Sequence, residues 1–320
     1  MKRILALVLA LLMVLALSAS AKELSEIRIA YLLKPDSNEY WSSMRDGVLA
    51  WAAEKGVQCD VFCIDSEDNF TGQLEAMENM INKGYDAICA APLSANNLVE
   101  GAIKASQAGV VVVNVDENID LKEVVAGGGN MAGHYTTDNL VVGNTGAQFI
   151  VDKIGKGQVA IIEGTAGNVT SNNRTAGAKA VFEATEGIEL VASQPGDWDR
   201  LVAMDVATNI MTTYPDMKAF YCANDTMALG VLEAVVNAGK KDQIMVVGTD
   251  AVQGAKVSVS EGGLAATVGQ DNIGIGIACG ELAVKSVQEG WKADSTKEQC
   301  VTQYIPCFLV TPENVKDYLK

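Results

Sequence analysis

The sequence predicts an α/β protein built from two doubly wound parallel-sheet units. Short apolar runs of strand length recur along the chain, with stretches of helical periodicity between them. That alternation is the mark of βαβ units whose sheets are covered on both faces. Nine such runs with their helices exceed one comfortable sheet. The 320 residues, 49% hydrophobic with 30 Gly and 20% charged residues, fit about two packed domains rather than a disordered chain. The alternation pauses at GGGNMAGHYTTDN, Gly127 to Asn139, which places the break between the units there.

The first 21 residues stand outside this pattern. Lys2 and Arg3 precede an unbroken apolar run of 14 residues from Ile4 to Leu17, and Ser18, Ala19, Ser20 and Ala21 follow. A cationic start, a short apolar core and a small-residue end describe a secretory signal peptide cleaved after Ala21. The run falls short of the ~20 residues a membrane span needs. The expected mature protein is exported and soluble. Losing two cations and no acid, it keeps 22 basic and 40 acidic side chains, −18 against −16 for the whole chain.

The mature chain opens on the strand IRIAYLL, Ile27 to Leu33. YWSSMRDGVLAWAAEKG follows, with Trp41, Met44, Val48, Leu49, Trp51 and Ala52 near helical spacing. VQCDVFCID is the next strand, and FTGQLEAMENMINKG the next helix, with Gly84 as its stop. YDAICAAPL and GVVVVNVDE come before the pause; QVAIIEG, IELVASQ, KAFYCAND, QIMVVGTD and AATVGQ come after it.

Composition excludes several function classes. So negative a chain disfavours nucleic acid or anionic lipid as a partner. Its one histidine, His134, leaves no multi-His metal centre, and in the segment where the alternation pauses it reads as structural. The seven cysteines cannot all pair and show no clustered CxxC spacing. Cys59 and Cys63 share one face of a strand, and Cys89 and Cys222 sit in apolar strands, so free buried thiols are expected. No cofactor and no metal is expected.

Ligands of open α/β sheets sit outside the carboxyl ends of the strands, and here those ends are uniformly polar. The first strand exits into Lys34, Asn38, Tyr40 and Trp41, and the fourth into Asp116 and Glu117. QVAIIEG leads to Arg174, IELVASQ to Trp198, KAFYCAND to Asn224, QIMVVGTD to Asp250 and AATVGQ to Gln270. The set holds carboxylates, carboxamides, cations and aromatics, with no phosphate-binding loop and no paired nucleophile and base. It suits a neutral polyol: carboxylates accept from hydroxyls, Lys and Arg donate, amides do both, and flat rings cover the apolar faces of a sugar. For each residue alone a helix cap or a solvated charge is the simpler account, and Asn224 before TMALGVLEAV is itself a good N-cap. The recurrence at successive strand ends is what points to a site.

The segments APLSANNLVE, NVDENID, TTDNLVVGNTGAQFIVDKIG, VAIIEGTAGN, ELVASQPGDWDR, YCANDTMALGV and VVGTD carry a resemblance along nearly the whole mature chain. The chain resembles the periplasmic sugar-binding proteins of the ribose/galactose type, the type I periplasmic binding proteins, and most of all their allose-binding members. The resemblance places the family's ligand groups on Lys34, Asn38, Tyr40, Trp41, Asp116, Glu117, Arg174, Trp198, Asn224, Asp250 and Gln270. Glu39 and Tyr40 depart from it, standing where the family carries Pro-Phe. It implies two lobes joined by a three-strand hinge and closing on D-allose or a related aldose, with ribose or another monosaccharide as the alternative. The lobes would comprise residues 22–133 plus 271–301 and residues 134–270 plus 302–320. The implied partners are the permease of an ABC sugar importer and a chemoreceptor, and the protein itself is expected to be a monomer.

Other functions compete. An NAD enzyme would share the α/β pattern, and GIGIACG, Gly274 to Gly280, superficially matches a dinucleotide fingerprint. Its spacing is off and it opens a late helix, so close helix packing is the better account. A carbohydrate-active enzyme would use similar carboxylates. A sugar-responsive repressor would need a basic helix-turn-helix head where this chain has an export signal.

Overall fold

The computed structural model describes residues 22–319, so the expected signal peptide, residues 1–21, lies outside the described residues. Strands and helices alternate from the start. β1 (Arg28–Leu33), α1 (Glu39–Lys55), β2 (Gln58–Cys63), α2 (Phe70–Asn82), β3 (Ala87–Ala90), α3 (Val99–Gln107), β4 (Val111–Val115), α4 (Leu121–Ala126) and β5 (Gly133–Thr137) come first. They are followed by α5 (Asn139–Ile154), β6 (Gly157–Glu163), α6 (Val169–Ala184), β7 (Ile188–Pro195), α7 (Arg200–Thr213), β8 (Met217–Cys222) and α8 (Asp225–Asn237). β9 (Met245–Asp250), α9 (Gln253–Ser260), β10 (Ala266–Gly269), α10 (Asn272–Gln288), β11 (Thr302–Ile305) and β12 (Phe308–Val310) complete the chain. Helix ends follow their local chemistry. Asn38 accepts from the Tyr40 N–H to start α1, and Gly56, with φ of 71°, ends it in the left-handed region.

The strands form two sheets of six, ordered β11-β5-β4-β3-β1-β2 and β12-β10-β9-β8-β6-β7. Pairing is parallel except for β12, which runs antiparallel to β10. Both faces of the first sheet are covered. Ile29, Tyr31 and Leu33 pack with the α1 residues Met44 and Val48 and the α10 residues Ile275 and Cys279. The alternate residues Ala30 and Leu32 pack with Met77 of α2 and Ala102 of α3 on the other side. The GIGIACG stretch lies in α10 and does what close packing requires. A Cβ at Gly276 would come within 2.7 Å of Val48, and one at Gly280 within 2.4 Å of the Tyr31 hydroxyl. That hydroxyl donates to the Gly276 carbonyl at 2.7 Å.

The chain passes from one sheet to the other three times, between β5 and β6, between β10 and β11 and between β11 and β12. The polar run GHYTT, expected as a pause in the alternation, is strand β5, paired with β4 on one side and β11 on the other. Its backbone hydrogen bonds are satisfied without an apolar face, which is why hydropathy misses it. The first sheet therefore holds the chain through Thr137 and again from Thr302 to Ile305. The middle passage, at 270–271, falls between β10 of the second sheet and α10, which packs on β3, β4 and β5 of the first.

All seven cysteines are free, four of them buried and Cys59, Cys63 and Cys307 half-buried. Burial pushes the Cys59 and Cys300 thiols up to about 12, which keeps them protonated and inert. Among the described residues no helix is long and apolar enough to cross a membrane. Nor does any group of His, Cys, Asp and Glu among them have the arrangement of a metal site.

Candidate functional site

The carboxyl ends of both sheets face one another across a cleft, and ten of the eleven sequence-indicated residues line a single small cavity there. Lys34, Asn38, Tyr40, Trp41 and Asp116 come from the first lobe, and Arg174, Trp198, Asn224, Asp250 and Gln270 from the second. The space between these side chains, part of it open to solvent, is about 340 Å³. Backbone conformation aims several of these side chains. Asp116 (φ 59°), Trp198 (φ 60°) and Asp250 (φ 112°) are three of the five non-glycine residues at positive φ among the described residues. Such conformations persist only where the surroundings over-determine them, and they concentrate at functional sites.

The second lobe's half of the cavity is a cross-linked polar network. Arg174, 4% exposed, donates from Nε to Asn139 Oδ1 at 2.8 Å. Its Nη1 donates to the Ala223 carbonyl at 2.6 Å and to Asp250 Oδ1 at 3.3 Å. Close crossing of α5 and α6 makes this possible, since a Cβ at Gly143 would lie 2.0 Å from the Arg174 carbonyl oxygen. Gln270 Nε2 donates to Asp250 Oδ1 at 2.6 Å, while Gln270 Oε1 is buried with no partner among the described residues. Burial pushes the Asp250 carboxyl up to about 7, against the opposing pull of Arg174 and Gln270. Burial works against the Arg174 charge, but Asp250 and further neighbours outweigh it and raise its pKa. The turn that carries Asp250 is braced from below. Asp225 accepts from the Val252 N–H at 3.0 Å and from the Thr267 hydroxyl at 2.8 Å.

The first lobe's half sets a pair of aromatic rings among polar groups. Tyr40 and Trp41 meet edge to face, with ring centroids 4.8 Å apart. The Tyr40 hydroxyl, its pKa raised by burial and then by Asp116, donates to Asp116 Oδ1 at 3.2 Å. Lys34, 4% exposed, holds its Nζ 5.6 Å above the Trp41 ring and 4.0 Å from Glu67. The two carboxamides serve double duty. Asn38 and Asn224 each spend Oδ1 on capping a helix, accepting from the Tyr40 and Met227 N–H groups, which leaves Nδ2 as a donor.

Glu117 is the exception among the indicated residues. It does not line the cavity; its carboxylate crosses the cleft to the Val169 and Thr170 N–H groups at the start of α6. Two cavity residues were not indicated, Glu67 and Thr170. Glu67 lies in the loop that leaves β2, another strand carboxyl end, so the rule that found the others reaches it too. Thr170 gives no signal, since a threonine in the first turn of a helix is ordinary. His134 is structural: its Nε2 meets the Asp116 carbonyl at 2.8 Å and its Nδ1 the Thr302 hydroxyl at 3.2 Å. The carbonyl requires the proton on Nε2, and burial lowers the ring's pKa, so it stays neutral.

Two doubly wound lobes with an aromatic and carboxylate-lined cavity between them define a solute-binding protein. The chain belongs to the periplasmic binding protein family: the family described as "Periplasmic binding protein domain" matches residues 29–290. It is 46% identical over 278 residues to the D-allose-binding periplasmic protein of Escherichia coli, covering 86% of this chain and 89% of the relative. It is 33% identical over 258 residues to a D-ribose/D-allose-binding protein of Pseudomonas aeruginosa, covering 76% of each. An ABC transporter periplasmic solute-binding protein from Actinobacillus succinogenes, solved with bound D-allose, superposes with a TM-score of 0.84. That match has 33% identity and covers 91% of this chain and all of the other.

Proposed function

We propose that the cavity between the lobes holds one monosaccharide, D-allose or a related aldose, for delivery to the permease of an ABC sugar importer. Family membership makes the chain an exported binding protein that works outside the cytoplasmic membrane, not an enzyme. The cavity carries the reading. Asp116 and Asp250 reach it from opposite lobes, and each has one oxygen engaged inside the protein, leaving the other for a sugar hydroxyl. The unpartnered Gln270 Oε1 needs a donor, and a hydroxyl supplies one. Trp41 and Trp198 offer flat apolar cover from the two lobes. A ligand that touches both lobes favours the closed form, which is how capture becomes a signal to a membrane partner.

In this reading Lys34, Asn38, Tyr40, Trp41, Asp116, Arg174, Trp198, Asn224, Asp250 and Gln270 contact the sugar, and Glu67 and Thr170 join them. The lobes divide after Thr137, at 270–271 and at 306, a division supported by the strand membership of the two sheets. The protein acts as a monomer, with a chemoreceptor as a second partner, and residues 1–21 are removed on export. Calorimetry against D-allose, D-ribose and D-galactose tests the function. D-allose is expected to bind most tightly. A ranking led by D-ribose would overturn the allose preference alone, whereas no heat with any monosaccharide, or turnover of oligosaccharides, would overturn the reading.

A further inference from the structure

Two carboxylates span the cleft without lining the cavity. Glu117, 1% exposed at the exit of β4, accepts from the N–H groups of Val169 at 3.0 Å and Thr170 at 3.2 Å, in the first turn of α6. Its own backbone is fixed, because Asn114 Nδ2 donates to the Glu117 carbonyl at 2.7 Å. Glu39, the first residue of α1, accepts from the N–H groups of Gln253 at 2.9 Å and Gly254 at 3.1 Å, in the first turn of α9. The two contacts are offset across the cleft. Their parent strands are separated by β3 in the first sheet, and the strands that lead to their acceptor helices by β8 in the second.

The first N–H groups of a helix have no partner within it, and its N-terminus carries partial positive charge. A carboxylate that accepts two of them makes charge-assisted hydrogen bonds. Around Glu39 the effect is doubled, since it sits between the N-termini of α1 and α9, which would otherwise oppose one another across the cleft. Donors and acceptors lie on opposite lobes, so these four bonds exist only while the lobes are together. No atom of the sugar is needed to make them.

We propose that Glu117 and Glu39 are interlobe latches that raise the closed fraction of the protein and so strengthen sugar binding without touching the sugar. The proposal rests on the monosaccharide reading above. Apparent affinity scales with the fraction of molecules in the binding-competent state, so a latch acts equally on every ligand that requires closure. Asp116 and Tyr40, which line the cavity, act on individual hydroxyls and have no such uniformity.

The test uses Glu117→Gln, Glu39→Gln and the double variant in the full mature chain, each titrated with D-allose and D-ribose. Glutamine can turn only one acceptor toward the paired N–H groups and brings an NH₂ against the second. Each single change is expected to weaken binding about fivefold, and the double change by about the product. The factor should be the same for both sugars, appear as faster dissociation, and leave the thermal midpoint of the sugar-free protein unchanged. Affinities equal to wild type in all three variants would overturn the latches, as would a loss that differs between the sugars. A wild-type protein that binds neither sugar would overturn the monosaccharide reading and the latches with it.

Discussion

The two halves of the cavity are built on different principles. In the second lobe Arg174, Asn139, Asp250 and Gln270 are tied to one another and to the backbone. In the first lobe the walls are the rings of Tyr40 and Trp41, joined by a single polar link to Asp116, with the Lys34 ammonium 4.0 Å from Glu67. The second lobe thus supplies a preorganised set of charges, and the first supplies cover and a few adjustable contacts. Fixed dipoles that need no rearrangement hold a ligand at lower cost. Affinity should therefore reside chiefly in the second lobe, and the choice between sugars chiefly in the first.

Arg174→Ala is the harshest way to probe that division. It strands Asp250 in a buried site, and breaking such a pair costs about 3–5 kcal/mol. Sugar binding is expected to fall by roughly a hundredfold or more, with a lower thermal midpoint as well, measured by calorimetry and thermal unfolding. Asp116→Ala should cost less, more than ~1.5 kcal/mol of binding, with the thermal midpoint near wild type. Equal thermal losses in the two variants would break the contrast between a cross-linked half and an adjustable one.

Acid should act through the second lobe. A sugar hydroxyl donating to Asp250 favours its ionised form, so binding releases a proton from a carboxyl that burial holds at about 7. Affinity should drop about tenfold from pH 8 to pH 6, and proton release should show as a dependence of the binding heat on the buffer's ionisation enthalpy. The same raised value gives the sugar-free fold extra stability below the usual carboxylate range, and that contribution is lost as pH rises through about 7. The smallest change expected is in Tyr40→Phe. It removes one donor to Asp116, costs about 0.5–1.5 kcal/mol, and shifts the ratio of D-allose to D-ribose affinity more than it shifts either lobe's stability.

Much of this site is legible in the sequence because one rule covers it: polar side chains at the carboxyl ends of parallel strands converge on the cleft. The apolar runs that announce those strands also fix where Lys34, Asp116, Asn224 and Asp250 emerge. Glu117 shows the rule's limit. Its neighbour Asp116 turns into the left-handed region, at φ 59°, and the two adjacent carboxylates part company, one to the cavity and one across the cleft. Side-chain alternation does not foresee such a turn. Strand β5 was hidden for a different reason, since its place is set by backbone pairing with β4 and β11 and not by an apolar face of its own. Among the glycines the sequence is a better guide than it first looks: GIGIACG proves to be a packing motif, with Gly276 and Gly280 pressed against α1 and β1.

The proposed cavity grips one sugar from both lobes at once. Small-angle scattering of the mature protein with and without saturating D-allose tests it most directly. The radius of gyration is expected to fall with D-allose, and to stay unchanged in Asp116→Ala at sugar concentrations too low to saturate that variant. A radius that stays constant while calorimetry records tight binding would place the sugar on a single lobe and overturn the two-lobe grip.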